Sequence, residues 1–501
     1  MATENVAVRD SGDDEQLAAL GYESRFKREM SPWGNFALGF TYLSPVVGVY
    51  VTFGIALAAG GPPMIWALVI AGLGQLLVAL VFGEVVSQFP VAGGVYPWAR
   101  RLWGRRWAWI TGWIYLFALL ATIGALAYGA GPYLAGLLGV ESSVKLNVVL
   151  GLLLLAGVTV INFTGTKAVA AVAKFGFACE LLGALAVGIW LLISDRHHGL
   201  GVLFQSQGSE GNGSYVAAFL AAGLIGVYQY YGFEACGDVA EEIKDPGRII
   251  PKTMRMTIYV GGSAAIFITL ALILSITDFS AVISGQNADP INGILTQAFG
   301  DVGSRVVLGV VVISFISGGL SLQAATSRLL YSYARDEMIG GSKVLANFNE
   351  RHGVPVAAVA VAGVVPGILL LCALVSEDGL FKMVSFATAG IYVGFQMVVI
   401  AALRARLRGW VPAGPFTLGR WGLAVNVAAL VWGVAAIANM VWPRTPEAAW
   451  YDNYLVLLAV VGVMGAGAVY MFVTGRAERS SGPHGDAITS SASALGSRMA
   501  P

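Results

Sequence analysis

Apolar residues gather in twelve long runs, and the polar segments between them are short. The runs cover approximately residues 36–59, 64–82, 107–133, 146–163, 169–193, 216–239, 257–277, 305–333, 355–375, 380–402, 421–442 and 454–474. Each is near the ~20 residues that a helix needs to cross a hydrocarbon core. The runs are continuous and do not alternate over ~10 residues, so they predict membrane helices and exclude barrel strands. They are numbered below as spans 1 to 12. Polar tails flank them at 1–30 and 476–501, the second rich in Ser, Gly and Ala. Both tails read as mobile, with Leu17 to Phe26 able to lie on a membrane surface. The first tail carries both signs of charge, including Asp13, Asp14 and Glu15, and has no cleavable-leader pattern. Span 1 is therefore expected to act as the insertion signal.

The charges between the runs set an orientation. With the N-terminus inside, the inner face receives Arg100, Arg101, Arg105 and Arg106 after span 2, and Lys244, Arg248, Lys252 and Arg255 after span 6. It also receives Arg404, Arg406, Arg408 and Arg420 after span 10. Only Lys145, Arg196, Arg305, Lys382 and Arg444 of the 30 basic residues fall outside. The excess of inner positive charge predicts both termini in the cytoplasm; the expected location is the plasma membrane. The longest outer loop, 278–302, carries Asp278, Asp289 and Asp301 but no Lys or Arg.

Two of the runs contain helix breakers. Pro45 falls mid-membrane in span 1, between Ser44 and Gly48, and removes one backbone donor. Span 6 has a weak point at Gly232, after Tyr228, Gln229, Tyr230 and Tyr231 and before Glu234. Glu234 stands where a carboxylate costs roughly 2.5–3.5 kcal/mol to insert. Interrupted helices five spans apart point to two inverted five-helix halves, with freed backbone groups at the midplane. This divides the chain into a tail (1–34), a ten-helix core (35–402), a pair of added helices (403–475) and a second tail (476–501).

Composition narrows the function classes. Mean hydropathy is +0.73 and only 12% of residues are charged, against roughly 25% in soluble domains. A net charge of +1 leaves no nucleic-acid footprint. Cys179, Cys236 and Cys372 are widely and irregularly spaced, which is no metal or disulfide pattern. His197, His198, His352 and His484 lie outside the runs, so no buried metal centre, nucleophile–base pair or nucleotide loop is indicated. No cofactor is expected. A channel would need a continuous polar lining; isolated carboxylates suit a closed binding site.

Several stretches then resemble the amino acid–polyamine–organocation permeases. Span 2 ends in Gly83-Glu84-Val85-Val86-Ser87-Gln88-Phe89-Pro90-Val91-Ala92-Gly93-Gly94-Val95-Tyr96, similar to that family's E-x-x-x-x-x-P-x-x-G-G-x-Y signature. Asn162-Phe163-Thr164-Gly165-Thr166-Lys167 matches its N-x-x-G-x-K between helices 4 and 5. Gly232-Phe233-Glu234, then Ala240-Glu241-Glu242 and Asp245-Pro246 to Pro251, matches its helix 6 signature. Ser327-Arg328 to Ala334-Arg335-Asp336 resembles the end of helix 8. The resemblance covers about residues 20–475, and Leu20-Gly21-Tyr22 to Phe26-Lys27-Arg28 with Ser44-Pro45 look most like the amino acid/choline transporter branch. It implies an all-α integral membrane protein of twelve helices in a LeuT-type 5+5 inverted repeat, with helices 1 and 6 broken.

The resemblance also implies roles. Ser44, Val47, Gly48, Tyr228, Tyr231, Gly232 and Glu234 would line the substrate site, with Tyr228 as the aromatic gate and Glu234 as the contact for an amine or a proton. Glu180, fifteen residues after Gly165, stands where proton-coupled and sodium-independent relatives carry a lysine. With Ser317 and Ser321 of span 8 it would form the ion or proton coupling site. Ser314, Ser317 and Ser321 share one helix face, expected to look towards spans 1 and 5. Glu84, Arg100, Arg101 and a Glu241-Glu242/Arg248 cluster lie at the cytoplasmic ends and read as structural or inner-gate salt bridges. Val46-Val47-Gly48-Val49 replaces the Gly-Ser/Ala-Gly run whose N–H groups hold a substrate carboxylate in many members. Choline-like and polyamine substrates therefore stay open beside amino acids. The expected function is import of a small amino acid or related amine by alternating access, coupled to protons. Exchange, sodium symport and a transport-deficient sensor are the alternatives. The expected partners are that substrate and the bilayer, with the protein a monomer or weak oligomer.

Overall fold

A computed structural model describes residues 11–488 apart from 212, 288, 375–378, 445–446 and 481. Among the described residues, eleven helices are long and apolar enough to cross a membrane. The twelfth crossing is span 6. It is too fragmented to count as one helix: Tyr215–Gln229 is followed by non-helical residues 230–234 and a short helix, Ala235–Asp238.

Span 1 comprises two helices, Pro32–Leu43 and Pro45–Gly60. The first starts at the Ser31 cap, whose side chain accepts from the Gly34 N–H, with proline at the first helical position. The break itself is made by Ser44, which adopts φ 42° and ψ 90° and caps both halves. Pro45 is the first residue of the second helix, where its missing N–H costs little.

The other spans begin and end close to the predicted limits, with two extensions. Span 7 starts at Pro246, eleven residues early, because the amphipathic helix Pro246–Met256 continues into the apolar run without a break. Span 8 continues backwards to Pro290 through a kink at Gly300, where φ is 65°.

Spans 3, 4, 8 and 9 pack against one another, as do spans 2, 6 and 7 around the second half of span 1. Span 12 is peripheral: 17% of its most apolar window is buried, against 83% for span 3.

The tails contradict the expectation of mobility over their described parts. Leu17, Tyr22, Phe26 and Met30 are buried. Arg28 donates to the carbonyls of Asp13 and Ile243, fastening the N-terminal segment beneath the loop after span 6. The C-terminal segment wraps Arg100, which donates to Ser480 Oγ and to the carbonyls of Gly482 and Pro483. Arg101 pairs with Asp486. Polar composition suggested solvation, but these segments supply the acceptors that buried arginines need.

Candidate substrate and coupling site

The two breaks meet. A Cβ at Gly232 would stand 2.6 Å from the backbone nitrogen of Leu43, and Gly232 has φ +107°. Only glycine allows span 6 to pass so close to the end of the first half of span 1. Gly232→Ala should therefore cost about 1–3 kcal/mol of backbone strain. A thermal-unfolding midpoint equal to the wild type's would contradict this account of the crossing.

Gln229 ties the same junction. Its Nε2 donates to the carbonyl of Leu43 (3.2 Å), which the break leaves without a helical partner, and to that of Ser44 (3.4 Å), which also accepts from the Gly48 N–H. Its Oε1 occupies the space where a Gly48 side chain would be. Gln229 was missed as a functional residue, although a glutamine within an apolar run was a usable signal.

Glu180 is fully buried and closes the other side of the break. Its Oε1 accepts from Ser44 Oγ at 2.5 Å and from the Val46 N–H at 2.9 Å. A carboxylate suits the positive N-terminal end of the second half-helix. The next donors are also taken: Val47 N–H reaches Ser44 Oγ, and Gly48 N–H reaches the Ser44 carbonyl. The Oε2 of Glu180 has no partner. Ser317 packs on Gly176 of span 5, and Ser321 Oγ lies 2.8 Å from Thr41 Oγ1 of span 1. These serines thus flank the break, but neither bonds to Glu180.

Glu234 is also fully buried. Its Oε2 accepts from the Gly232 N–H at 2.7 Å, and its Oε1 from the Tyr115 hydroxyl of span 3 at 2.9 Å. It therefore holds the unwound segment and links it to span 3. The Tyr42 hydroxyl stands close by, outside hydrogen-bond geometry. Tyr231 sits between Tyr42 and Tyr228, with ring centroids 6.1 and 5.5 Å away.

A cavity of about 280 Å³ lies on the face opposite the N-terminus and reaches Tyr228 from the side of Thr52, Thr388, Trp442 and Arg444. Tyr228 lines this vestibule, and its ring meets that of Tyr231 edge to face. The face bearing the N-terminus is closed by ion pairs: Glu241 with Arg335 (3.0 Å), Glu242 with Arg328 (2.7 Å), Asp336 with Arg100 (3.5 Å), and Glu84 with Arg406. The expected Glu241-Glu242/Arg248 cluster does not form. Arg248 is exposed and approaches Asp245 at 3.9 Å, because the two glutamates turn inward to span 8.

Broken helices crossing at buried carboxylates, beneath a vestibule on one face and above ion pairs on the other, define a multi-pass membrane transporter and not an enzyme. The chain matches the amino acid permease family over residues 31–465, and it belongs to that family, within the amino acid–polyamine–organocation superfamily. It is 27% identical to an amino-acid permease BAT1 homolog of Oryza sativa subsp. japonica, over 83% of this chain and 85% of the relative. It is 26% identical to the amino-acid permease BAT1 of Arabidopsis thaliana, over 86% of this chain and 88% of the relative. A choline transporter of Saccharomyces cerevisiae is 23% identical over 95% of this chain and 86% of its own length. The protein accordingly transports amino acids or related compounds.

Proposed function

We propose that this permease imports a small amino acid or related amine across the plasma membrane by alternating access, driven by protons. The distribution of Lys and Arg supports placing both termini in the cytoplasm. The observation that carries the reading is the crossing of the two breaks, with Glu180 on one side and Glu234 on the other. Tyr228 closes over the substrate from the vestibule. The group of spans 1, 2, 6 and 7 rocks against spans 3, 4, 8 and 9, and inward opening parts the ion pairs between span 8 and the segment after span 6.

The arrangement favours recognition of an amine. The N–H groups of Val46, Val47 and Gly48 already have acceptors, so they offer nothing to a substrate carboxylate. Glu234 presents negative charge, and Tyr228 and Tyr231 present ring faces for cation–π contact worth about 0.5–2 kcal/mol. Glu180 supports proton coupling: a carboxyl group capping span 1 can bind or release a proton as the break rearranges.

The test is a thermal-shift screen of amino acids, choline and polyamines, followed by uptake into proteoliposomes. A true ligand at a hundred times its Kd raises stability by about 2.7 kcal/mol. Saturable accumulation that responds to a pH gradient is expected. Ligand binding without turnover would establish the sensor alternative, and accumulation following a sodium gradient would replace the proton.

A further inference from the structure

Span 6 carries another carboxylate one helical turn beyond Glu234. Asp238 is fully buried, and neither of its oxygens has a hydrogen-bond partner. Its Oδ1 lies over the backbone of Gly94, where a Cβ would stand 2.3 Å away. The Trp98 ring covers both Gly94 and Gly237. The Trp98 Nε1 and the Tyr42 hydroxyl are also buried and unpartnered, so neither donates to this carboxylate. The titratable groups acting on it or on its immediate surroundings are Glu234 and Cys236 on span 6, Tyr42 on span 1 and Tyr115 on span 3. No lysine or arginine is among them.

An ionised carboxylate without donors in apolar surroundings costs several kcal/mol. A second negative charge one turn away adds repulsion. Glu234 has two donors and Asp238 has none, so a single charge shared by the pair resides on Glu234. We propose that Asp238 is a proton site of the transporter, loaded while the cytoplasmic side is closed and unloaded when that side opens. This rests on the permease reading and adds an inner site to the one at Glu180.

The position explains the switch. Glu241 and Glu242, three and four residues on, hold the segment to span 8. The Gly93 N–H donates to the Asp238 carbonyl at 2.9 Å, so the loop after span 2 seals it from below. When these contacts part, water reaches the carboxyl group. Its O–H bond breaks, the electron pair stays on the carboxylate, and the proton passes to cytoplasmic water. After the return to the outward state, a proton arriving from the vestibule by way of Glu234 reloads it.

The test reads the proton directly. In protein labelled with carbon-13 at the aspartate carboxyl groups, a protonated-aspartate carbonyl band should appear in the infrared spectrum at neutral pH, and Asp238→Asn should remove it. Absence of that band from the wild type overturns the proposal however the variant folds. So does its persistence in Asp238→Asn. This measurement needs no transport, so it fails independently of the permease reading. In pyranine-loaded proteoliposomes given a mixture of the protein amino acids, choline and putrescine, Asp238→Asn should lower the ratio of proton flux to substrate flux. An unchanged ratio overturns the coupling role.

Discussion

Glu234→Gln removes saturable uptake while the protein keeps its fold. The two oxygens of Glu234 accept from Gly232 and Tyr115. The glutamine amide oxygen can keep one of these bonds, and Gly232 remains in its left-handed conformation, so the crossing survives. The negative charge does not survive. A substrate ammonium brought into this dry site loses its water and would face an amide in place of a carboxylate. Removing one member of a buried charge pair costs roughly 2–5 kcal/mol, and ~3 kcal/mol is on the order of a hundredfold in affinity. Radiolabelled uptake into proteoliposomes, beside a size-exclusion profile and an unfolding curve, checks this. Ordinary saturable uptake by a well-folded variant would remove Glu234 from the substrate site and leave it as a cap on the unwound segment.

Glu180→Gln separates binding from driving force. The amide oxygen replaces Oε1 and can accept from Ser44 Oγ and the Val46 N–H as before. The amide nitrogen replaces Oε2, which has no partner to lose. The variant thus mimics a permanently protonated Glu180 at nearly constant shape. Substrate exchange down a gradient should persist, and accumulation against a gradient should stop. Counterflow measured beside pH-driven uptake in one preparation reads both. Accumulation that still follows the pH gradient would make Glu180 a structural cap.

The twelve spans and the places where two of them break were legible in the sequence. Length and continuity of apolar residues are local properties, and hydrocarbon thickness converts them into helices. Pro45 and Gly232 marked the breaks because backbone constraints travel with the residue type, although Ser44 is the residue that turns the chain. The costly carboxylates Glu180 and Glu234 stood out for the same reason. Asp238 lay inside the same apolar run and carried the same signal, but it was not singled out among the candidate residues.

Partnership was decided by tertiary structure. Glu180 meets Val46 across 134 positions of chain, and Glu234 meets Tyr115 across 119. Glu241 and Glu242 turn to span 8 and leave Arg248 exposed. The described parts of the polar tails become the lining of buried arginines. None of these pairings has a local signature, because a donor and an acceptor far apart in sequence are matched only when helix packing brings them together. The sequence by itself determined which groups must be satisfied inside the membrane; the fold decided which of them are, and it left Asp238 without a donor.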